Sequence, residues 1–478
     1  MTKTGGPVII ALPSGQGILA DYQGKRVAVV GLGVSNLPVA RLMMAGGARV
    51  HLFDQRPAED LDSSISGLLE AGAEACLGPD YLEGLARGSF DVLVLTPGLK
   101  KDITAVEVHR QRGSEITSEM DLFLRLNSCR TLGITGSAGK TTTTTLVGEI
   151  LRLSGSRVMK GGNIGTPMIQ VASQLPPEAW AVLEMSSFQL ETCTSSPHVA
   201  VLLNLYRDHL DVHADRRAYW AAKKRIMRFQ GAGDFLVLNQ DQPEVSALAA
   251  EASAEVYFFS TSGLPCRGVG LEAGHIVWVD GWKRQLVGPV SEIKLRGRHN
   301  QANFLAATAA SILAGASPDH IMEVGRTFSG VPHRLEEIRR LDGVLYVNDS
   351  IATTPERARA ALAAYSRPVV MIAGGYDKGL SYGQLGEDIA RRAKALVLMG
   401  DTAETIRQSV AGAGGTLPMT DVSSMEEAVS RARRQAEPGD VILMSPACAS
   451  FDMFRSYVHR GDVFRQIVLN LAPAEMSS

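Results

Sequence analysis

Lys140 closes a glycine-rich run, Thr-Gly-Ser-Ala-Gly-Lys-Thr-Thr at 135–142, between an apolar stretch at 131–134 and a helical pattern reaching about residue 153. A strand feeding such a turn into a helix aims unpaired backbone N–H groups at one point. Those donors and the positive helix end suit a phosphate chain. Lys140 can neutralise the outer phosphates, and the Thr141 hydroxyl can ligate magnesium. The run is shorter than the general G-x-x-x-x-G-K-[ST] pattern, because only Ser137 and Ala138 separate Gly136 from Gly139. A plain turn carrying a surface lysine would explain the glycines, but not the strand, the Gly-Lys-Thr-Thr core and the helix together. ATP is therefore the expected ligand of Gly136, Ser137, Ala138, Gly139, Lys140, Thr141 and Thr142.

Two more places could serve a metal ion. Glu184 ends an apolar strand pattern at 181–184, where a parallel sheet presents its ligand groups. A carboxylate there is costly unless it meets a cation, so it reads as a magnesium ligand or, more simply, one half of a salt bridge. His209 and His213 stand four apart in Asn-Leu-Tyr-Arg-Asp-His-Leu-Asp-Val-His at 204–213. Leu210 follows His209 where H-E-x-x-H needs glutamate, so a zinc protease is disfavoured.

Nearer the start, Gly31-Leu-Gly33 with Asp54 about twenty residues on resembles a dinucleotide fingerprint. Its third position holds Asn36 instead of glycine, which leaves a structural Rossmann turn, an oxidoreductase or a different nucleotide open at this point.

The elements that must carry these residues alternate strand and helix. Strand patterns at 26–33, which ends in glycines, at 49–54 and at 91–95 enclose a helical pattern at 38–45; others at 181–184 and 199–204 follow the phosphate loop. Residues 255–295 are rich in β-branched and aromatic types with turn signals, and read as smaller antiparallel strands before a helix at 300–314. Strand patterns at 345–348, 368–373, 395–399 and 441–444 follow Pro-His-Arg at 332–334. This order predicts an α/β protein with three parts: a Rossmann-like region over 1–125, a central P-loop region with a mainly parallel sheet over 126–331, and a Rossmann-like region over 332–478. A chain of 478 residues is long enough for them.

Composition narrows the class. A formal net charge of -2 provides no basic field for nucleic acid or anionic lipid. The five cysteines are scattered without a Cys-x-x-Cys pair, which supports neither a disulfide framework nor a zinc knuckle. The apolar run at 8–12 is too short for a signal h-region, and no run of about twenty apolar residues appears. A soluble cytoplasmic protein is the simplest expectation.

Six motifs together resemble the Mur ligases, the ATP-dependent amide ligases that build the peptide of bacterial peptidoglycan. They are the phosphate loop, Gly-Gly-Asn-Ile-Gly-Thr-Pro at 161–167, Glu-Met-Ser-Ser-Phe-Gln-Leu at 184–190, Asp-His-Leu-Asp at 208–211, Arg-His-Asn-Gln-Ala-Asn at 298–303 and Pro-His-Arg at 332–334. Ser-Ser-Phe-Gln-Leu, with Ser-Pro-Ala-Cys-Ala-Ser-Phe-Asp-Met-Phe at 445–454, is similar to the glutamate-adding branch, and the likeness runs from about 25 to 470. It implies addition of D-glutamate to UDP-N-acetylmuramoyl-L-alanine through an acyl phosphate, by a cytoplasmic monomer serving cell-wall synthesis.

The resemblance also implies residue roles. Thr141, Glu184, His209 and Lys223, the last as a carbamate, would hold two magnesium ions, with Lys140 completing the catalytic set. Asn300, Asn303, Arg334 and Asp349 would join the loop in holding ATP. Val34, Ser35, Asp54, Gln55, Arg56 and Gly98 would surround uracil and diphosphate, with Asn163, Ser186 and Gln189 towards the sugar-peptide end. Thr353, Lys378, Ser450 and Tyr457 would receive glutamate. The family usually reads Asn-Asp-Ser-Lys-Ala-Thr where this chain has Ile351 at 348–353. Loss of that cation makes an L-glutamate-adding variant the main alternative. A folylpolyglutamate synthase is disfavoured by the first region and the Ser-Phe-Gln-Leu segment, and a non-catalytic scaffold by the metal positions.

Overall fold

The computed structural model describes residues 19–61, 64–164, 167–206, 216–295, 297–377 and 379–473. Chain contacts divide it between Ser329 and Gly330 into two compact units.

The first unit contains two sheets. The first sheet is built from β1 (Arg26–Val30), β2 (Arg49–Asp54), β3 (Glu74–Leu77), β4 (Val92–Leu95) and β5 (Glu115–Thr117), in the order β3-β2-β1-β4-β5. All four of its pairings are parallel. β1 and β4 are buried through most of their length, which is why they read as continuous apolar runs and do not alternate. The strand order reverses between β1 and β4, and ligands of open parallel sheets bind outside the strand ends at such a point.

The second sheet has nine strands: β6 (Arg130–Thr135), β7 (Val158–Gly162), β8 (Trp180–Glu184), β9 (Val199–Leu202), β10 (Phe235–Asn239), β11 (Glu255–Phe259), β12 (Arg267–Glu272), β13 (His275–Asp280) and β14 (Lys283–Pro289). Their order is β14-β13-β12-β11-β10-β9-β6-β8-β7. The reading of 255–295 as smaller antiparallel strands holds for β12, β13 and β14 and needs correction at β11. β11 pairs parallel with both β10 and β12, and only β12, β13 and β14 run antiparallel, as an extension of the same sheet. The segment between β10 and β11 forms two short helical turns, Pro243–Ser246 and Ala247–Glu251, that carry the chain back for a parallel crossover.

The helix Glu119–Leu126 links the two sheets. Ser118 caps it by accepting from the Asp121 amide. Met120, Leu122, Phe123 and Leu126 belong to one hydrophobic cluster that also holds Val27 and Val29 of β1 and Ala181 and Leu183 of β8. The Glu119 carboxylate accepts from the Ile169 amide at 2.8 Å inside this cluster. Burial pushes Glu119 up to about 6, against the pull of that bond.

The second unit has β15 (Glu336–Leu341), β16 (Val344–Asn348), β17 (Val369–Ala373), β18 (Ala393–Leu398), β19 (Met419–Asp421) and β20 (Val441–Met444), in the order β15-β16-β20-β17-β18-β19. Only β15 is antiparallel to its neighbour. Apolar clusters lie on both faces of this sheet. The α/β character with parallel-dominated sheets expected from the alternating pattern is therefore observed throughout. Among the described residues, no helix is long and apolar enough to cross a membrane.

Candidate active site

β6 delivers its chain into the glycine-rich loop between two parallel neighbours, β8 and β9. Gly136 has φ 156° and Gly139 φ 86°, backbone that disfavours a side chain. A Cβ on Gly139 would lie 2.1 Å from Asn303 Oδ1, so the loop is in close contact with the helix Arg298–Leu313. Asn303 in turn donates to Asn300 Oδ1 at 3.4 Å. The structure thus brings Asn300 and Asn303 to the phosphate loop.

Two lysines converge on the start of the loop. Lys140 Nζ donates to the carbonyls of Gly136 and Ser137 at 2.8 and 3.1 Å, folded back over the turn. Lys223, one turn after Tyr219 on the helix Arg216–Arg228, donates from Nζ to the same Gly136 carbonyl at 2.9 Å. It is only 2% exposed. Burial first, and the Lys140 charge second, push its amine down to about 6, with Glu184 opposing. A lysine in that state is largely neutral at pH 7, and therefore nucleophilic.

Glu184 ends β8 and is 3% exposed. Its Oε1 accepts from Asn163 Nδ2 at 3.0 Å, while its Oε2 has no hydrogen-bond partner among the described residues. The salt bridge offered as the simpler role is absent from its described contacts. A buried carboxylate oxygen with an open valence is the donor a hard divalent cation takes. No cluster of three His, Cys, Asp or Glu side chains occurs among the described residues. The buried Thr141, Glu184 and an anionic Lys223 carbamate would form an all-oxygen set that fits magnesium. His209 lies outside the described residues.

A cavity of about 330 Å³ opens at the ends of β1, β2 and β4, where the strand order reverses. Asp54, Gln55, Arg56 and Gly98 line it together with Gly31, Gly33, Tyr81, Thr96 and Leu99. Asp54 accepts from the Leu32 amide at 2.7 Å and from the Arg56 amide and Nε at 2.9 Å. Burial opposes its ionised form, but the Arg56 and Leu32 bonds outweigh it and hold the carboxyl below the usual range. Asn36 explains the missing third glycine: its Nδ2 donates at 3.0 Å to the carbonyls of Val30 and Gly31, fastening the turn. Val34, 76% exposed, and Ser35 sit on the turn that follows.

Ser186 and Gln189 are brought together, but with each other. They form a capping box on the short helix Ser187–Leu190, with the Gln189 amide donating to Ser186 Oγ and Gln189 Oε1 receiving the Ser186 amide at 3.0 Å. Asn163 is exposed beside Glu184, held by the β7–β8 pairing of Gly162 with Glu184.

In the second unit, Asp349 is 4% exposed and accepts from Ser445 Oγ at 2.8 Å and the Leu335 amide at 3.1 Å. Burial pushes its carboxyl up to about 6, against those bonds and the nearby Arg334 and Arg357 charges. Arg334 itself is exposed. Thr353, Ser450 and Tyr457 lie on neighbouring segments: Ser350 Oγ donates to the Tyr457 carbonyl at 2.7 Å, and Arg460, on the helix that Tyr457 begins, donates to the Ala449 carbonyl at 3.0 Å. Lys378 lies outside the described residues. The Ile351 amide donates to the His333 carbonyl at 3.1 Å, and its carbonyl accepts from Arg357 Nη1 at 3.2 Å.

Comparison with known proteins decides the family. A protein of Symbiobacterium thermophilum named UDP-N-acetylmuramoylalanine--D-glutamate ligase is 45% identical over 93% of this chain and 98% of its own length. One of the same name from Acetivibrio thermocellus is 41% identical over 93% of this chain and 96% of its own. The chain belongs to the Mur ligase family. The model of the Mur ligase middle domain matches residues 134–311, and that of the Mur ligase, glutamate ligase domain matches 333–448. A crystal structure of MurF from Acinetobacter baumannii shares the fold, with TM-score 0.50 and 17% identity over 96% of this chain and 98% of its own.

Three side chains of this Mur ligase escaped the sequence reading. Asn204 accepts from the Ala138 amide at 2.8 Å and donates to the Ala138 carbonyl at 3.0 Å, clamping the loop tip. Tyr219 places its ring 4.6 Å from Lys223 Nζ and its hydroxyl 3.1 Å from Ser137 Oγ. Its spacing of four from Lys223 on a helix was the available signal. Tyr81 lines the first-sheet cavity and gave no signal of its own.

Proposed function

We propose that this Mur ligase joins D-glutamate to UDP-N-acetylmuramoyl-L-alanine, with ATP as the energy source and magnesium as the metal. Near-full-length likeness to relatives named for that reaction carries the reading. The loop geometry supports it, because it offers a cation, Lys140, and a buried carboxylate oxygen free to ligate, Glu184 Oε2, at the end of one sheet.

A carboxylate acylates poorly because oxide would have to leave. Phosphorylation of the substrate carboxylate by ATP gives an acyl phosphate, from which phosphate can leave when the glutamate amine attacks. Both steps bring anions together, so neutralisation and alignment dominate the barrier. Bound magnesium would supply positive charge to the phosphate oxygens. Lys140, now resting on the Gly136 and Ser137 carbonyls, can turn outward to the γ-phosphate. Asn303 and Asn204 hold the shape of the loop from opposite elements. The cavity at β1, β2 and β4 takes the uridine end, with Asp54 and Arg56 as its polar floor.

We take residues 1–125 as the UDP-binding part, 126–331 as the ATP-binding part and 332–478 as the glutamate-binding part of a monomeric cytoplasmic enzyme. Thr353, Lys378, Ser450 and Tyr457 receive the incoming amino acid, while Arg334 and Asp349 meet the nucleotide. Phosphate release should require both UDP-N-acetylmuramoyl-L-alanine and D-glutamate. Release from ATP with neither acceptor present would overturn the reading. A second reading, L-glutamate addition, is favoured by the apolar Ile351. Running the assay with each enantiomer separately decides between them.

A further inference from the structure

Arg460 is among the largest fully buried side chains, 1% exposed, in the helix Tyr457–Asn470. It pairs with no carboxylate among the described residues. Its guanidinium is instead used on loop backbone and one hydroxyl. Nε donates to Ser350 Oγ, Nη2 to the carbonyls of Ser350 and Cys448, and Nη1 to the carbonyl of Ala449, each at 3.0 Å. A third segment touches the same group. A Cβ on Gly375 would lie 2.3 Å from the Ala449 carbonyl and 3.2 Å from Arg460 Nη1, and the Tyr376 amide donates to that carbonyl at 3.0 Å.

These contacts have a common destination. Ser350 lies three residues before Thr353, Ala449 immediately precedes Ser450, and Ser350 Oγ also reaches the Tyr457 carbonyl. Burying a cation without a counter-ion is costly, so a residue needed only to fill this space would be apolar. A planar fork is the side chain that can hold four acceptors on separate segments in one geometry.

We infer that Arg460 is a positioning residue for the acceptor amino acid: it fixes the segments bearing Thr353, Ser450 and Tyr457 at one spacing without touching the substrate. This deepens the ligase reading above and rests on it.

The test is steady-state phosphate release by the full-length Arg460→Lys and Ser350→Ala variants. Each substrate is varied in turn, with thermal unfolding measured alongside. Lysine keeps the charge but cannot span four acceptors, and alanine at 350 removes one acceptor while leaving the charge in place. In both, the KM for glutamate should rise about tenfold while those for ATP and the UDP substrate stay within about twofold. A glutamate KM unchanged in both variants overturns the inference. So does a fall in kcat and melting temperature with all three KM values unmoved, which is the signature of a purely structural bolt. Wild-type enzyme that shows no glutamate-dependent release would remove the ligase reading itself, before any variant is compared.

Discussion

Lys223 and Lys140 donate to the same acceptor, the Gly136 carbonyl, at 2.9 and 2.8 Å. Two ammonium groups on one oxygen repel, and the buried one yields. Lys223 is held down to about 6, chiefly by burial and then by Lys140. A neutral amine is what carbon dioxide requires for carbamate formation. Lys223→Ala should therefore lose turnover and recover part of it with formate or acetate. Assays of wild-type enzyme in carbon-dioxide-depleted buffer should be slower, and bicarbonate should restore them. Full activity of the alanine variant without any added acid would exclude the carbamate.

The same shift has a stability consequence, whose sign is fixed. Between about pH 6 and the ordinary lysine range near 10.5, the unfolded chain binds a proton at residue 223 that the folded chain does not. Stability should rise with pH across that window, most clearly without carbon dioxide. Urea unfolding of wild type and Lys223→Met from pH 6 to 9 measures it. The methionine variant should show the shallower rise.

Lys140→Ala should remove the only flexible cation on the loop's first helical turn. Loss of one charge aimed at a transferring phosphoryl group costs about 10²-fold or more in kcat. Single-turnover phosphate release is the appropriate readout, since weakened ATP binding alone would be overcome at high nucleotide.

Asn204 is buried and makes both of its bonds to Ala138. Asn204→Ala leaves an amide and a carbonyl at the loop tip unpaired. The cost should be about 1–3 kcal/mol by denaturant unfolding. The KM for ATP should rise in parallel, because the loop loses its preformed shape.

Asp54 accepts from a backbone amide and holds Arg56 through both oxygens. Asp54→Asn should weaken UDP binding in calorimetry by about tenfold, because the charge-assisted bonds that orient Arg56 are lost. Since the Asp54 carboxyl sits below its ordinary range when folded, its stabilising contribution is present above the unfolded value of 3.8. It is lost as pH falls through the lower folded value. The variant should accordingly be less sensitive to acid than wild type.

Much of this architecture was legible because buried parallel strands leave long apolar runs. β1, β6, β8 and β9 are such strands, and the glycines after β1 and β6 mark the two turns that matter. Within 255–295 the antiparallel expectation fails only at β11, because periodicity reports burial, not direction. β11 lies between two parallel neighbours although its composition resembles that of an antiparallel ribbon. Asn204 and Arg460 act through distant partners. Asn204 is 66 residues from Ala138, and Arg460 is 110 from Ser350. No local pattern announces such pairs. Asn36 departs from the fingerprint in the sequence, but that its carboxamide fastens the Val30 and Gly31 carbonyls is a matter of geometry that spacing does not carry.

The apolar cluster around the helix Glu119–Leu126 limits how this protein could exchange parts with its relatives. β1 and β8 belong to different sheets, but Val29, Phe123, Met168 and Leu183 pack in one continuous interior. A recombinant chain joined near residue 125 would mate two half-surfaces that had never been selected together, and would part the Glu119 carboxylate from the Ile169 amide selected with it. On either side of Ser329 and Gly330, by contrast, each unit has apolar clusters of its own. Shuffled libraries of these enzymes should therefore retain folded members with exchanged C-terminal units far more often than with exchanged first sheets.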